Sequence, residues 1–258
     1  MEQKKVIYYS GFDEEFSKAV IVPKKIGDDY VYIKTSFWGR LSSFLSYRLI
    51  AAPLAFLYLK LKFHRKLINK KALKKASDGY FLIGNHTQDI GDAVAPAMTA
   101  YPRRVYVVVH ANNVSMPVLG RFTPSLGALP LPDTRAATKN FFAAIEKALE
   151  NKCAVALYPE AHIWPYYTKI RPFGEAAFRY PVRYDKPVFC FTNTYKKRRF
   201  GKNPKMISYI DGPFYPDGSL SQSERMKKLR DEVYECMCKR AENSDIEYIE
   251  YRPAAEKK

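Results

Sequence analysis

The sequence predicts an α/β fold with a largely parallel central sheet flanked by helices, preceded by an N-terminal helical segment at a membrane interface. Two observations support this prediction. Continuous apolar runs alternate with helical stretches after the first third of the chain, an order typical of parallel strands covered on both faces. Before them, an apolar segment is followed directly by a basic one. With 258 residues and 47% hydrophobic content, the chain can bury one large core.

The apolar segment extends from Phe37 to Phe63. Two arginines and a proline interrupt it, and its longest uncharged part, Leu49–Leu59, is shorter than the roughly 20 residues that span a bilayer. Eight basic residues and no acidic one follow between Lys60 and Lys75. This order indicates a segment in the interface of an anionic bilayer, and the alternative is a buried core helix with a solvated basic tail. We therefore expect an N-terminal region over residues 1–76 and a main domain over residues 77–258.

Further along the chain, apolar runs predict buried strands and periodic stretches predict helices. The strands are expected at Tyr80–Ile83, Val105–Val109, Ala154–Tyr158 and Val188–Phe191. The helices are expected at Asp92–Ala100, Thr138–Glu150 and Phe173–Arg179. Weaker patterns predict a short strand at Tyr30–Ile33 and an edge strand at Met206–Ile210. A last helix, capped by Ser221 or Ser223, is expected to end near Arg240.

The net charge is +17, from 43 lysines and arginines against 26 acidic residues. Such basicity favours anionic partners, which include nucleic acid, an anionic membrane surface and phosphorylated substrates. The four cysteines lack zinc-site spacing, so we expect reduced cytosolic thiols. His64, His110 and His162 have no acidic partner at metal-ligand spacing, and we expect no metal. The first residues lack the apolar core of a signal peptide.

The candidate catalytic residue is His86, which follows a predicted strand in the stretch Asn85–Asp92. Histidine takes up a proton near neutral pH, and a carboxylate fixes its tautomer and stabilises the imidazolium. Asp89 and Asp92 are both close enough in sequence to supply that carboxylate. The edge where a buried strand leads into a helix commonly carries the chemistry of α/β proteins. The alternative is a histidine that only caps a backbone group.

A second strand end carries Glu160, in the sequence Leu157-Tyr-Pro-Glu160. Because the ends of parallel strands meet at one edge of a sheet, His86 and Glu160 are expected to face one cleft. The alternative is a structural glutamate that holds a loop through backbone N–H groups.

Together these residues resemble the motifs of the glycerolipid acyltransferase family, the 1-acyl-glycerol-3-phosphate acyltransferases. Asn85-His86 matches the family's Asn-His motif. Gly127–Arg135 is similar to its Gly…Arg segment, and Tyr158–Ala161 to its Phe-Pro-Glu-Gly-Thr-Arg motif. Phe173–Phe178 and Lys186–Phe191 resemble the two segments that follow. The order and spacing fit from about residue 80 to residue 215.

The departures from the family pattern indicate a divergent member. The family has four residues between its histidine and aspartate, whereas two precede Asp89 here and five precede Asp92. Asp92 is the favoured partner, with one inserted residue, because the apolar run after it is similar to the family's. Asp89 stays open. The family's Gly-Thr-Arg is replaced by Ala161–Ile163, so the arginine expected to meet phosphate is missing, and we expect Arg135 or Arg171 to replace it.

The resemblance implies an O-acyltransferase that moves a fatty acyl group from a thioester to the hydroxyl of a lysophospholipid such as 1-acyl-glycerol-3-phosphate. His86 would be the general base and Asp92 would hold it, while backbone N–H groups would stabilise the oxyanion. Substrate-binding residues would be Glu160, Arg135, Arg171 and Asn85.

The resemblance implies no cofactor and no metal, since acyl-CoA or acyl-carrier protein is a co-substrate. Residues 77–258 would form the acyltransferase domain. The expected location is the cytoplasmic face of a membrane, as a peripheral or monotopic protein on an anionic surface, where the lysophospholipid lies.

Three alternatives stay open. A basic chain with 20 tyrosines can bind nucleic acid by stacking and phosphate contacts, although no nucleic-acid-binding motif is present, so we expect no nucleic-acid partner. An acyltransferase with another acceptor, such as an amino-lipid or a sugar lipid, is the second. A relative that binds lipid without turnover is the third, and the altered Glu160–Ile163 motif is its warning sign.

Overall fold

The computed structural model describes residues 5–16, 22–116, 120, 122–201 and 203–254. Within them the predicted fold class is confirmed, because a largely parallel seven-stranded sheet is flanked by helices. The strands are β1 Lys5–Tyr9, β2 Lys66–Ile68, β3 Tyr80–Gly84, β4 Val105–Val109, β5 Ala128–Pro130, β6 Ala154–Leu157, β7 Val188–Lys196, β8 Lys205–Phe214 and β9 Ile249–Pro253.

The helices are α1 Phe37–Leu45, α2 Ala52–Phe63, α3 Asp89–Ala100, α4 Asn112–Ser115, α5 Arg135–Glu150, α6 Arg179–Tyr184 and α7 Gln222–Ala241. A π-helical turn at Ser46–Ala51 joins α1 to α2, and 3₁₀ turns occur at Lys70–Lys75 and Glu175–Phe178. Ser221 caps α7, one of the two residues expected to do so, and Glu224 completes a capping box.

The main sheet has the strand order β2-β8-β7-β3-β6-β4-β5, and every neighbouring pair is parallel except β7 with β8. Every residue of β3 and β6 is buried, because α5 and α7 pack on one face of the sheet while α3 and the first 3₁₀ turn pack on the other. These two strands are neighbours, so their carboxyl ends lie side by side at one edge. His86 follows β3 and Glu160 follows β6.

Three predicted elements differ from the structure. Tyr30–Ile33 is not a strand but an irregular segment with a bend, in which Tyr30 and Tyr32 pack together and Tyr32 reaches Phe141 of α5. Met206–Ile210 lies in a longer strand that is not at the edge, because the unpredicted strand β2 pairs outside it. The helix predicted at Phe173–Arg179 is a 3₁₀ turn there and becomes α-helical only from Arg179.

The apolar segment forms one helix from Phe37 to Phe63, 27 residues long and apolar enough to cross a membrane. Only 22% of the most apolar 18-residue stretch of this helix is buried within the protein, so the alternative of a buried core helix is wrong. The buried side chains form a single stripe at Ser43, Tyr47, Ala52, Ala55, Leu59 and Phe63. Leu54, Phe56 and Leu57 are each at least half exposed. A helix that is apolar on all sides is normally covered by protein or by lipid.

The fold is not interrupted at residue 76, where the sequence suggested a boundary. The strand β2 belongs to the main sheet, and β1 pairs in parallel with β9 near the other end of the chain. Tyr9, Phe12 and Tyr251 pack around the buried ring of Trp164. Residues from the predicted N-terminal region therefore pack against Trp164, and Phe12 also accepts a hydrogen bond from Arg171.

Candidate active site

The turn that follows β3 is fixed by Asn85, whose buried side chain pairs with the backbone of β7. Its Nδ2 donates to the carbonyl of Asn193 at 3.0 Å, and its Oδ1 accepts the Asn193 N–H at 2.8 Å. This pairing extends the β3–β7 ladder past the last paired residue of β3. Asn85 thus positions the turn, and its contact with a substrate stays a prediction.

The imidazole of His86 faces the carboxylate of Asp92, with Nδ1 2.9 Å from Oδ2. The carboxylate accepts, so Nδ1 carries the proton and Nε2 is the basic nitrogen. No hydrogen bond joins Nε2 to any of the described residues. The His86 side chain is 17% exposed whereas that of Asp92 is 1% exposed, so the base can meet a substrate while its partner is shielded from water.

The Asp92 carboxylate also binds the backbone of the loop that precedes it. Its Oδ2 accepts the backbone N–H of Thr87 at 2.6 Å and that of Gln88 at 2.7 Å. Burial raises the pKa of this carboxyl, while the hydrogen bonds from His86, Gln88 and Thr87 act in the opposite direction. The carboxylate is therefore held by three donors in a site that disfavours its charge.

His86 and Asp92 are separated by one residue more than in the family motif, and the start of α3 accommodates this longer spacing. Gln88 is the N-cap, and its carbonyl accepts the Asp92 N–H at 3.1 Å. Its side chain donates to the hydroxyl of Tyr195 at 2.9 Å, and that hydroxyl also bonds Thr87 Oγ1 at 2.7 Å. The turn is thus held on both sides, and the longer spacing still brings the carboxylate to Nδ1.

The ring of Tyr158 stacks on the imidazole of His86, with ring centroids 4.5 Å apart and planes 17° apart. Its hydroxyl donates to the backbone carbonyl of Asp92 at 2.6 Å. This tyrosine stands where the family motif has phenylalanine, and its hydroxyl adds a link between β6 and α3. The histidine and its partner are therefore held against the same side chain.

Glu160 is buried, and protein groups bond both of its oxygens. Oε2 accepts the backbone N–H of His86 at 3.0 Å and lies 3.1 Å from Nη2 of Arg171. Oε1 accepts the Arg171 N–H at 3.0 Å. Burial raises the pKa of Glu160, and the charge of Arg171 lowers it. The structure thus gives Glu160 the loop-holding role named as its alternative, and its contact with an acceptor stays a prediction.

Arg171 is equally occupied, with its side chain 1% exposed. Besides Glu160 it donates to the carbonyls of Phe12 and His162, and its guanidinium lies 5.0 Å from the ring of Trp164. Its charged group therefore binds the turn after β6 and the N-terminal segment. A phosphate contact by Arg171 would require these bonds to break.

The turn after Glu160 has a left-handed residue, Ala161, at φ 63°. The family pattern has glycine there, which adopts this conformation without the Cβ penalty of alanine. Beyond it, Trp164 donates its backbone N–H to His86 and Tyr166 donates to Thr87, at 3.1 and 3.0 Å. These bonds tie the turn after β6 to the loop after β3.

The remaining two candidates lie apart from this network. Asp89 is exposed in the first turn of α3, and no described hydrogen bond joins it to His86. Arg135 is exposed at the start of α5, in a surface groove that also contains Lys139 and Arg183. Among the described residues no contact joins Arg135 to His86 or Glu160.

Arg65 belongs to the site but could not be identified from the sequence, because it lies within the polybasic run. Its guanidinium donates to Ser208, to the carbonyl of Ala95 and to Thr99, at 2.8, 3.1 and 2.7 Å. Burial lowers the pKa of Arg65 to about 10, and Asp92 opposes that shift. The charge of Arg65 thus lies close enough to the Asp92 carboxylate to interact with it.

The site has the parts of a general base and lacks a cluster of metal ligands among the described residues. Among the described residues, the one group of possible metal ligands is Cys190, Asp211 and Cys236, and it includes neither His86 nor Glu160. A histidine with a buried carboxylate partner and an accessible second nitrogen can take a proton from a hydroxyl. It can return that proton to a leaving group.

Comparison with known proteins identifies the fold and the family. The structure is similar to the crystal structure of the 1-acyl-sn-glycerophosphate (LPA) acyltransferase PlsC from Thermotoga maritima, with a TM-score of 0.54 and 15% identity over 81% of this chain and 84% of that chain. A search of curated proteins by sequence gives no significant match. The family model described as "Acyltransferase" matches residues 64–192, half of the chain, and includes both His86 and Glu160. The chain therefore belongs to the acyltransferase family.

Proposed function

We propose that this protein transfers a fatty acyl group from an acyl thioester to the hydroxyl of a lysophospholipid such as 1-acyl-glycerol-3-phosphate. The observation that carries the proposal is the 2.9 Å contact between His86 Nδ1 and Asp92 Oδ2 at the sheet edge, inside the segment that matches the family. The similar PlsC is an LPA acyltransferase, which supports this choice of acceptor.

In the proposed reaction, Nε2 of His86 takes the proton of the acceptor hydroxyl as its oxygen attacks the thioester carbonyl carbon. The C–O bond forms, and the carbonyl oxygen becomes an oxyanion. The C–S bond then breaks, and the imidazolium returns the proton to the departing thiolate. Asp92 stabilises the imidazolium between these steps. A positioned base of this kind contributes roughly 10²- to 10⁴-fold to the rate.

The proposed oxyanion donors are the first N–H groups of α3. The N–H groups of His86, Thr87 and Gln88 already donate to Glu160 or Asp92, so they are not available. The side chain of Gln88 does not cap α3. A helix N-terminus stabilises negative charge, and this one begins three residues after the base.

The proposed anchor for the acceptor phosphate is Arg135, because Arg171 is bound to Glu160. Arg135 shares its groove with Lys139, Arg183 and Glu146, so positive charge predominates there. The proposal assigns no cofactor, and acyl-CoA or acyl-carrier protein is the co-substrate.

The exposed helix Phe37–Phe63 supports action at a membrane, which we propose to be the cytoplasmic face. Its exposed side chains are largely apolar, and they include Leu49, Leu54 and Leu61, each more than 60% exposed. The basic residues that follow, among them Lys70 and Lys74, are also exposed and favour an anionic surface. The protein would bind its lipid acceptor at this interface.

The nucleic-acid alternative finds little support in where the aromatic rings lie. Stacking on bases needs exposed rings beside basic residues. Tyr9 and Tyr251 pack on the buried Trp164 instead, whereas Phe200 is an exposed ring beside Arg199. The exposed aromatics of the apolar helix adjoin aliphatic side chains, which indicates a lipid surface.

The test is to incubate the purified protein with labelled acyl-CoA or acyl-carrier protein and a panel of lysolipids in vesicles, and to identify products by mass. We expect acylated lysophospholipid from the wild type, and a rate lower by roughly 10²- to 10⁴-fold for His86→Ala. Product from another class of acceptor would show that the proposed acceptor is wrong. Binding of lipid without product would indicate a lipid-binding relative. Full activity of His86→Ala would refute the mechanism.

A further inference from the structure

A cluster outside the proposed active site joins two cysteines and an aspartate beneath α7. Cys190 on β7 is fully buried, and Cys236 on α7 is partly exposed. Their sulfur atoms and a carboxylate oxygen of Asp211 all lie within 4.8 Å of one another. Cys190 and Asp211 are paired across β7 and β8, so the sheet fixes two members and α7 supplies the third. None of the three has a part in the proposed acyl transfer.

The carboxylate of Asp211 is already bound by Arg240. Nε of Arg240 donates to Oδ2 at 2.8 Å, and Nη2 donates to Oδ1 at 2.6 Å. A metal ion would have to displace this bidentate pair and would then lie beside a guanidinium. Zinc sites also use four ligands, of which three are present here. The arrangement therefore favours chemistry between the two thiols over binding of a cation.

We propose that Cys190 and Cys236 are a redox-active thiol pair that closes to an intramolecular disulfide when the protein meets a hydroperoxide. The two side chains come from different elements, and the cluster brings their sulfur atoms close before any reaction. Cys236 is the accessible member, so a peroxide reaches it first.

The surroundings also favour Cys236 as the attacking thiolate. A hydrogen bond with Cys190 lowers the pKa of the Cys236 thiol and Arg240 acts in the same direction, while burial and the Asp211 carboxylate act against them. The same contact, together with burial, raises the pKa of Cys190. Thiolates, and not thiols, react with peroxides, so Cys236 reacts and Cys190 resolves.

The reaction balances with one hydroperoxide. The Cys236 thiolate attacks the peroxide, so that an S–O bond forms and the O–O bond breaks. The departing oxygen takes up the proton that the Cys236 thiol released and leaves as an alcohol or as water. The Cys190 sulfur then attacks the resulting sulfenic acid. The S–S bond forms, the S–O bond breaks, and water leaves with the Cys190 proton. Two electrons pass from the thiols to the peroxide.

The test treats the full-length protein with stoichiometric hydrogen peroxide and identifies disulfide-linked peptides by mass. We expect a Cys190–Cys236 peptide in the wild type and its absence in Cys190→Ser and Cys236→Ser. Cys238→Ser is the matched control, because Cys238 lies two residues further along the same helix and contacts Tyr234 instead. This variant should form the link as the wild type does.

The wild-type peptide map does not depend on whether either variant folds. The proposal is overturned if both thiols stay open to alkylation after treatment, if Cys236 is found as sulfinic acid, or if it pairs with another cysteine. It is also overturned if the purified protein carries one zinc ion that protects both thiols from alkylation.

Discussion

The carboxylate of Glu160 accepts the backbone N–H of His86 at 3.0 Å, so the acid at the end of one strand positions the main chain of the base at the end of the next. The same carboxylate is held by the buried guanidinium of Arg171. The glutamate thus acts on the histidine through the backbone, while Asp92 acts on its imidazole. The two acids of the site have separate structural roles.

Replacing Glu160 with glutamine should destabilise the fold. The change leaves the charge of Arg171 buried without a partner, which typically costs about 3–5 kcal/mol. We expect a lower urea midpoint of unfolding, while Glu235→Gln, an exposed change on α7, should leave the midpoint unchanged. Adding Arg171→Met to Glu160→Gln should recover part of the loss. An unchanged midpoint for Glu160→Gln would show that the pair does not hold the turn.

The two aspartates near His86 should differ sharply when each is changed to asparagine. Asp92→Asn should lower the acyl-transfer rate on the order of 10³- to 10⁴-fold, because the amide no longer stabilises the imidazolium. Asp89→Asn should have little effect, since Asp89 is exposed and does not contact the ring. Initial rates at saturating substrate would check both. Equal losses in the two variants would contradict the geometry.

The buried carboxyl of Asp92 also predicts how stability depends on pH. Burial raises its pKa above the ordinary 3.8, so the folded protein binds this proton more tightly than the unfolded chain. The associated stabilisation is fully present below the ordinary pKa and is lost as the pH rises through the folded pKa. Asp92→Asn has the same shape and no charge, so its melting temperature relative to wild type should rise from acidic to neutral pH. Thermal unfolding at several pH values would check this, and a difference that falls instead would refute it.

The positions of the two acids and the base could be predicted from the sequence, and so could Asp92 as the partner of His86, whereas the partner of Glu160 could not. Buried parallel strands appear as apolar runs, so the strand ends that carry His86 and Glu160 are visible in one dimension. The partner of Glu160 is Arg171, eleven residues later, and nothing in a local pattern separates a buried arginine from an exposed one. Arg65 is a similar case, since it lies among lysines that face solvent.

The apolar helix shows a second limit of prediction from the sequence. Charged residues divide the segment in the sequence, which suggested a length too short to span a bilayer. In the structure Arg48 turns toward the protein, donates to the carbonyl of Pro102 and lies over the ring of Tyr101. The charge of Arg48 therefore does not interrupt the exposed apolar surface, whereas Arg40 is exposed near the start of the helix. This arrangement depends on tertiary contacts, and periodicity alone does not contain them.

Removing exposed apolar side chains from this helix should weaken binding to vesicles. We expect the triple change of Leu54, Phe56 and Leu57 to serine to reduce partitioning into anionic vesicles by about 100-fold or more, because each buried apolar side chain contributes about 1.5–3 kcal/mol. The urea midpoint should not fall, since all three side chains are at least half exposed. Flotation at low and high salt would measure the binding. Phe200→Ser is the matched control, because Phe200 is 78% exposed but lies outside the helix, and it should bind as wild type does. Equal binding by the triple variant and the wild type would show that the helix does not contact the bilayer.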